Sequence, residues 1–377
     1  MLRRDLSRPM NTLHSRRIFP VAVAAVAGLM ASAPTQAQMT FSVAPGFAVA
    51  DAIVASTDGT VLAGTSRFGV GALNTYYEAF RWTEETGKQY LGLVPGKIST
   101  NARDISGDGS IVVGEAETVR PGQPHVQEAF RWSEATGMQG LGYLPGGTQS
   151  EARAISTDGS TIVGNGDVPL GGASFRWTET GGMQAIGPGW AYGVSADGSF
   201  IVGEAYLGGE RQGYLWSESG GMIGLGNLLQ RPNGSAATHV VADGSLVAGY
   251  AYDQFDRAYA FLWSPEAGIR DFRDVLVNVY GIGDQVAGWS RLTITDLSDD
   301  GRFFTGLGIS PNGRFEMWQL DRGLNPPDFP PGENPPPMAP IPEPATYGAC
   351  AAVLLIGMAW RRRSRARVAP ESASTRA

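Results

Sequence analysis

SGDGSIVVG, residues 106–114, is an Asp-Gly pair set between short runs, and the chain contains it in six versions. The others are STDGTVLAG (56–64), STDGSTIVG (156–164), SADGSFIVG (195–203), VADGSLVAG (241–249) and SDDGRFFTG (298–306). In every version Asp leads the closing Gly by six residues. Asp-Gly between β-branched runs predicts a tight hairpin turn in which both central residues take φ > 0. Each version therefore predicts two antiparallel strands, a and b.

A second marker follows each first. It reads EAFRW (78–82 and 128–132), ASFRW (173–177), GYLW (213–216), AFLW (260–263) and FEMW (315–318). This aromatic segment reads as strand c. In the first five copies a Gly stands five residues after Trp, at Gly87, Gly137, Gly182, Gly221 and Gly268, and an apolar residue follows four later. That pattern predicts a c–d turn and a strand d. Successive turn Asp residues lie 39 to 57 apart. Four strands in such a period predict an all-β fold, a six-bladed β-propeller of four-stranded blades. The sixth copy lacks a strand d, because QLDRGLNPP follows Trp318. FSVAPG (41–46) matches LGLVPG (91–96) and LGYLPG (141–146), each with its Pro 13 residues before the next turn Asp. The N-terminal segment is thus predicted to supply the missing strand and close the ring.

The ends predict export. Arg16 and Arg17 precede the short apolar run VAVAAVAGLMA (21–31), and TQA leads to a cleavage point between Ala37 and Gln38. SRRIF (15–19) is also similar to the start of a twin-arginine signal, although the general secretory route is the preferred reading. At the other end a linker with ten prolines spans 326–344. Pro342, Glu343 and Pro344 then precede the apolar TYGACAAVLLIGMAW (346–360) and the cluster Arg361, Arg362, Arg363. This order resembles the PEP-CTERM sorting signal of Gram-negative envelope proteins. The resemblance implies an exosortase-type processing enzyme as partner and a short transmembrane helix held in the inner membrane before processing. An Arg cluster at the end of a span stays in the cytoplasm, which places everything upstream outside. The repeats resemble the extracellular HAF repeats, with Glu78, Glu128, Ala173 and Tyr259 where that motif has His. The expected division is 1–37 signal peptide, 38–322 propeller, 323–344 linker, 345–367 sorting signal and 368–377 cytoplasmic tail.

Residues 38–344 carry 18 Lys plus Arg against 34 Asp plus Glu, a net charge of −16. Such a body repels nucleic acid and anionic lipid. Cys350 is the only cysteine and lies in the tail, so no disulfide holds the body. His125 and His239 are its only histidines. There is no GxSxG, HExxH or phosphate loop, and no catalytic residue, metal ligand set or cofactor is expected. The paired acids Glu84/Glu85 and Asp299/Asp300 recur with the turns and read as structural. Arg81, Arg131 and Arg176 share a slot with Leu215, Leu262 and Met317, which implies packing through the aliphatic stem.

Length varies in the b–c and d–a connections, which open on one face of a propeller. That face is the expected place for specialisation. Its candidate contact residues are Tyr76, Tyr77, His125, Trp190, Tyr192 and Tyr206, with Phe255 and Trp289. The longest d–a connection, about 273–292, precedes the sixth repeat. The expected role is a non-catalytic surface or matrix protein that binds extracellular polysaccharide or a protein partner. A secreted polysaccharide hydrolase or lyase is the alternative, marked by acids or a His converging at the channel mouth. An architectural envelope protein without a ligand is the third reading.

Overall fold

The computed structural model describes residues 38–40, 53–69, 75–118, 125–169 and 171–323. Six four-stranded antiparallel sheets form the six blades. Blade two is representative, with Ser99–Ile105, Ile111–Thr118, Val126–Ser133 and Gly137–Gly140 as strands a to d. Strand order follows sequence order in blades one to five. In blade six the fourth strand is N-terminal: Gln38–Thr40 pairs antiparallel with Phe315–Asp321, Met39 facing Leu320. The ring is therefore closed by joining the two ends of the propeller segment.

The described closing strand, Gln38–Thr40, lies just upstream of FSVAPG. Blade one explains the offset. Its strand d is Gly87–Tyr90, and LGLVPG begins as that strand ends. There the buried Leu91 donates its N–H to the Ala79 carbonyl at 2.9 Å, and Val94 is buried beside it. The repeated string marks the exit from strand d, where apolar side chains tuck between blades. Residues 41–46 themselves lie outside the described residues, as do the signal peptide, Ala37, the linker and the sorting signal. Among the described residues no helix is long and apolar enough to cross a membrane.

The Asp-Gly turns also differ from the expected form. Only the Gly has positive φ, 70° at Gly59 and Gly109, and no turn Asp is left-handed. The reason is a side-chain network. Ser106 Oγ donates to Asp108 Oδ1 at 2.7 Å and accepts the Ile111 N–H at 3.0 Å, while Asp108 Oδ1 also accepts the Ser110 N–H. Gly109 N–H bonds back to the Ser106 carbonyl. This is a type I turn ending in a left-handed Gly, a four-residue loop that Ser and Asp brace from inside. The same bracing recurs at Ser56, Ser156, Ser195 and Ser298. The bonds to Ser and to backbone N–H hold the Asp108 carboxyl below its usual range.

Strand b shows why the apolar runs do not alternate. Both of its faces are covered, so neighbouring residues serve different blades. Val112 packs toward blade one with Val61, Ala63 and Ala79. Val113 packs toward blade three with Ile162 and Phe175. EAFRW occupies strand c as predicted, with Phe80 and Phe130 buried. Arg81 crosses to the next blade, where Nε donates to the Gly109 carbonyl at 2.9 Å. Glu128 meets Lys97 Nζ at 3.4 Å and accepts from the Tyr143 hydroxyl, which ties it to the framework.

The longest d–a connection is part of the core. Asp271 caps the short helix Phe272–Asp274, which runs into the turn Val275–Val279. Phe272, Val275, Leu276, Ile282 and Val286 are buried against Phe304 and Trp318 of blade six. This insertion wedges blades five and six together.

Candidate functional site: the central channel and the loop face

The channel is walled by the six strands a. In blades two to six each of these strands carries a β-bulge at one level: between Ala102 and Asp104, Ala152 and Ala154, Ala191 and Gly193, Ala237 and His239, and Ile294 and Asp296. A bulge sets two consecutive residues against one partner and re-aims their side chains. Residues five and four before the turn Asp therefore both line the lumen. From blade one to blade six the first of these positions reads Ile53, Arg103, Arg153, Tyr192, Thr238, Thr295. The second reads Val54, Asp104, Ala154, Gly193, His239, Asp296. The turn and the closing Gly repeat through all six copies, while these two columns change in nearly every one.

Toward the loop face the wall carries paired charges. Arg103 grips Glu115 with two prongs at 2.5 and 2.7 Å, and Glu115 is fully buried. Desolvation opposes the Arg103 charge, but Glu115 and the neighbouring carboxylates raise the Arg103 pKa, while burial raises the Glu115 pKa against the pull of Arg103. Arg153 pairs with Glu151 at 2.7 Å, and Glu151 also accepts from Asn165. Glu204 holds Arg211 at 2.5 Å and bonds the Tyr192 hydroxyl. Burial and the negative Glu204 raise the Tyr192 pKa.

One level deeper lie Asp104, His239 and Asp296. Asp104 accepts the Ile105 N–H at 2.8 Å and, across the blade boundary, the Ile155 N–H at 2.9 Å. Solvent in the lumen reaches part of its surface, yet the surrounding protein desolvates it, and its pKa is pushed up to about 7. Backbone hydrogen bonds oppose this rise, and the charge of Asp296 adds to it. His239 Nδ1 is 2.9 Å from Thr238 Oγ1, and the ring also bonds the backbone of Thr295 in blade six. Desolvation lowers the His239 pKa, while Asp296 opposes the shift.

The Asp104 shift has a testable sign. The carboxyl titrates near 3.8 in the unfolded chain and near 7 in the fold. Between those values the folded state holds the extra proton, so this group makes stability fall as pH rises from about 4 to about 7. Asp104→Asn removes the titration. The stability of the wild type relative to the variant is expected to drop by a few kcal/mol across that window, read from urea unfolding at each pH. A constant difference would show that Asp104 ionises normally.

The lumen is pinched at the turn face. Backbone bonds link Thr57 N–H to the Gly107 carbonyl, Gly107 N–H to Thr157 and Ala242 N–H to Asp299. Thr157 Oγ1 then reaches Asp299 Oδ2 at 3.3 Å, joining blades three and six. A Cβ on Gly107 would stand 2.4 Å from Thr157 and 2.8 Å from Thr57, so only glycine fits. Above this neck the cavity is about 590 Å³. Asp299 and Asp300 thus separate in role: Asp300 braces its turn through Ser298, whereas Asp299 faces the neck.

The predicted loop-face residues are spread around the rim. Tyr76 stacks on Phe68, with ring centroids 5.2 Å apart, and Phe68 meets Tyr90 edge-on at the same distance. Tyr77 is partly buried, its N–H bonded to Ser99 Oγ. His125 is exposed beside Glu117 at 3.3 Å. Trp190, Tyr206 and Phe255 are exposed, and Arg257 lies over the Phe255 ring. Trp289 packs on the core beneath the d–a insertion. Of the eight, only Tyr192 lines the channel. The long b–c loops of blades one and two, 70–74 and 119–124, fall outside the described residues. Among the described residues no group of three or more His, Cys, Asp or Glu could hold a metal ion. The channel residues were readable in principle. Aligning the six copies on their turn Asp exposes the two variable columns inside an otherwise repetitive strand, whereas loop length draws attention elsewhere.

No family profile and no curated protein matches the chain. Among solved structures it is similar to TolB from Acinetobacter baumannii, at 13% identity and TM-score 0.41 over 66% of this chain and 60% of that one. The chain thus spans less than two thirds of that protein's length. It is also similar to a putative TolB from Agrobacterium tumefaciens, at 16% identity and TM-score 0.41, covering 72% of this chain and 89% of that one. Oligogalacturonate lyase from Vibrio parahaemolyticus stands at 13% identity and TM-score 0.44, covering 72% of this chain and 77% of that one. Identities this low concern the fold alone.

Proposed function

We propose that the protein is an exported, non-catalytic binding propeller of a Gram-negative cell envelope or matrix. It is sorted through Pro342, Glu343 and Pro344 with Arg361, Arg362 and Arg363, and it binds an extracellular polysaccharide through the loop face and the channel behind it. The carrying observation is the channel wall, where donors and acceptors alternate. Arg103 and Arg153 donate, while Asp104 and Asp296 accept. Sugar hydroxyls do both, so a mixed wall suits them better than a bare ion. Val54, Val194 and Val240 between them offer apolar contact for ring C–H faces. The Pro-rich linker, 19 residues at ~3.1 Å each, holds the propeller up to ~60 Å from the membrane when extended.

Two measurements test this. Fractionation of the tagged protein with and without the exosortase-type enzyme is expected to shift it between membrane and envelope or medium. An unchanged distribution overturns the sorting role. A glycan panel that includes the producer's own matrix is expected to yield binding to the purified protein. No binding removes the polysaccharide role.

Hydrolase or lyase action is the second reading, favoured by the meeting of Asp104, His239 and Asp296 in one lumen. The bonds of His239 to Thr238 and Thr295 favour the binding role, because they occupy the ring that would move a proton. New chain ends or unsaturated products from any glycan, lost in His239→Ala, would establish the enzymatic reading.

A further inference from the structure

The channel is a pocket with one usable mouth. Its turn-face end is narrowed by Thr157 and Asp299 meeting across the lumen, and by Gly107 fitted between Thr57 and Thr157. At the other end the wall is set with long side chains that solvent reaches, Arg103 exposing 41% and Arg153 29% of the side chain. A polymer cannot thread such a pocket. It can enter only by its tip.

The charge of the lumen narrows the ligand further. Arg103 and Arg153 are each held by a glutamate, so their charges are already matched. Below them Asp104, Asp296 and Asp299 line the same cavity. A uronic, sulfated or phosphorylated sugar would add a like charge beside them. An uncharged sugar would instead donate its hydroxyls to these carboxylates. A cavity of about 590 Å³ lies within the range of ligand pockets and holds one or two pyranose rings.

We infer that the channel recognises the terminal residue of an uncharged glycan chain, entering end-on from the loop face, with Asp104 and Asp296 as hydroxyl acceptors and Tyr192 at the wall. This rests on the polysaccharide-binding reading above, and specifies which part of the chain is held.

The test uses the full-length protein and neutral linear hexasaccharides of α-1,4-glucose, β-1,4-glucose and β-1,4-N-acetylglucosamine. Each is compared with a form blocked at both ends by a bulky group, and the first also with cyclic hexaglucose, which has the same units and no ends. Calorimetry is expected to show binding of at least one linear chain. Blocking or cyclisation should weaken it at least tenfold, and a uronate chain of equal length should not bind. Asp296→Asn keeps an oxygen for the Leu297 N–H that Asp296 now accepts, so the fold is retained. It is expected to weaken binding at least fivefold, and Val54→Trp, which fills the lumen, to abolish it. Binding that ignores both end-blocking and the lumen variants overturns the end-on inference while leaving the loop-face reading intact. Failure of every glycan to bind overturns the underlying reading and this inference with it.

Discussion

Deleting residues 39–46 is expected to abolish the single cooperative unfolding transition of the propeller. The deletion removes the pairs Met39–Leu320 and Thr40–Gln319 and leaves Phe315–Asp321 as an open edge. Backbone hydrogen bonds contribute about 1 kcal/mol each, so the strand alone accounts for a few kcal/mol. The larger effect is topological. Each blade buries its two faces on its neighbours, and blade six reaches blade one only if the ring stays shut. Blade six would then fray first, by local opening rather than global unfolding. Tryptophan fluorescence and circular dichroism should give separate urea transitions, and the amides of 315–321 should lose their hydrogen-exchange protection. Removing only residues 1–37 is the control and should leave the midpoint in place. If the shorter deletion unfolds in one transition at the wild-type midpoint, the N-terminal strand does not close the ring.

Gly164→Ala is expected to destabilise the protein by roughly 3 kcal/mol or more, at the upper end of overpacking effects. Gly164 is the closing glycine of STDGSTIVG and faces Ala152, next to the bulge in strand a. An added Cβ would stand 2.0 Å from the Glu151 carbonyl oxygen and 3.0 Å from the Ala152 Cα. Both are backbone atoms, and they cannot yield without moving the channel wall. Gly114, Gly203, Gly249 and Gly306 meet the equivalent carbonyl at 1.8 to 2.1 Å. Gly172, in the same blade, has only the edge of Trp190 at 3.9 Å, so Gly172→Ala should be close to neutral. Equal urea midpoints for the two variants would show that the clash is relieved at no cost.

The closing glycine shows how sequence and structure share the explanation. Its spacing from Asp is visible in all six copies, and it was enough to count blades. In blades two to six the cause is the close approach of strand a beside its bulge, where a backbone carbonyl leaves no room for a side chain. Nothing in a single copy announces that bulge: an Ala precedes its position in five of the six copies, but the two residues that follow differ. Arg103 and Asp104 share few properties with Thr238 and His239. The channel wall was correspondingly hard to read, and loop length pointed to rim aromatics of which only Tyr192 reaches the lumen. Trp289 and the 273–292 connection looked like a specialised loop. Their apolar residues instead fill the wedge between blades five and six.

The sequence by itself determined the strand count, the six repeats, the packing role of EAFRW and the need for an N-terminal segment in the last blade. These are local or periodic properties: turn chemistry acts within a few residues, and each blade solves the same burial problem again. Tertiary structure decided which residues meet. In sequence Asp104 lies 135 residues before His239, and His239 lies 57 before Asp296. They converge because a closed ring brings every innermost strand to one axis, and because bulges turn consecutive side chains inward there. It also decided that the channel narrows at Thr157 and Asp299, a contact between opposite blades that no pattern within one repeat can specify.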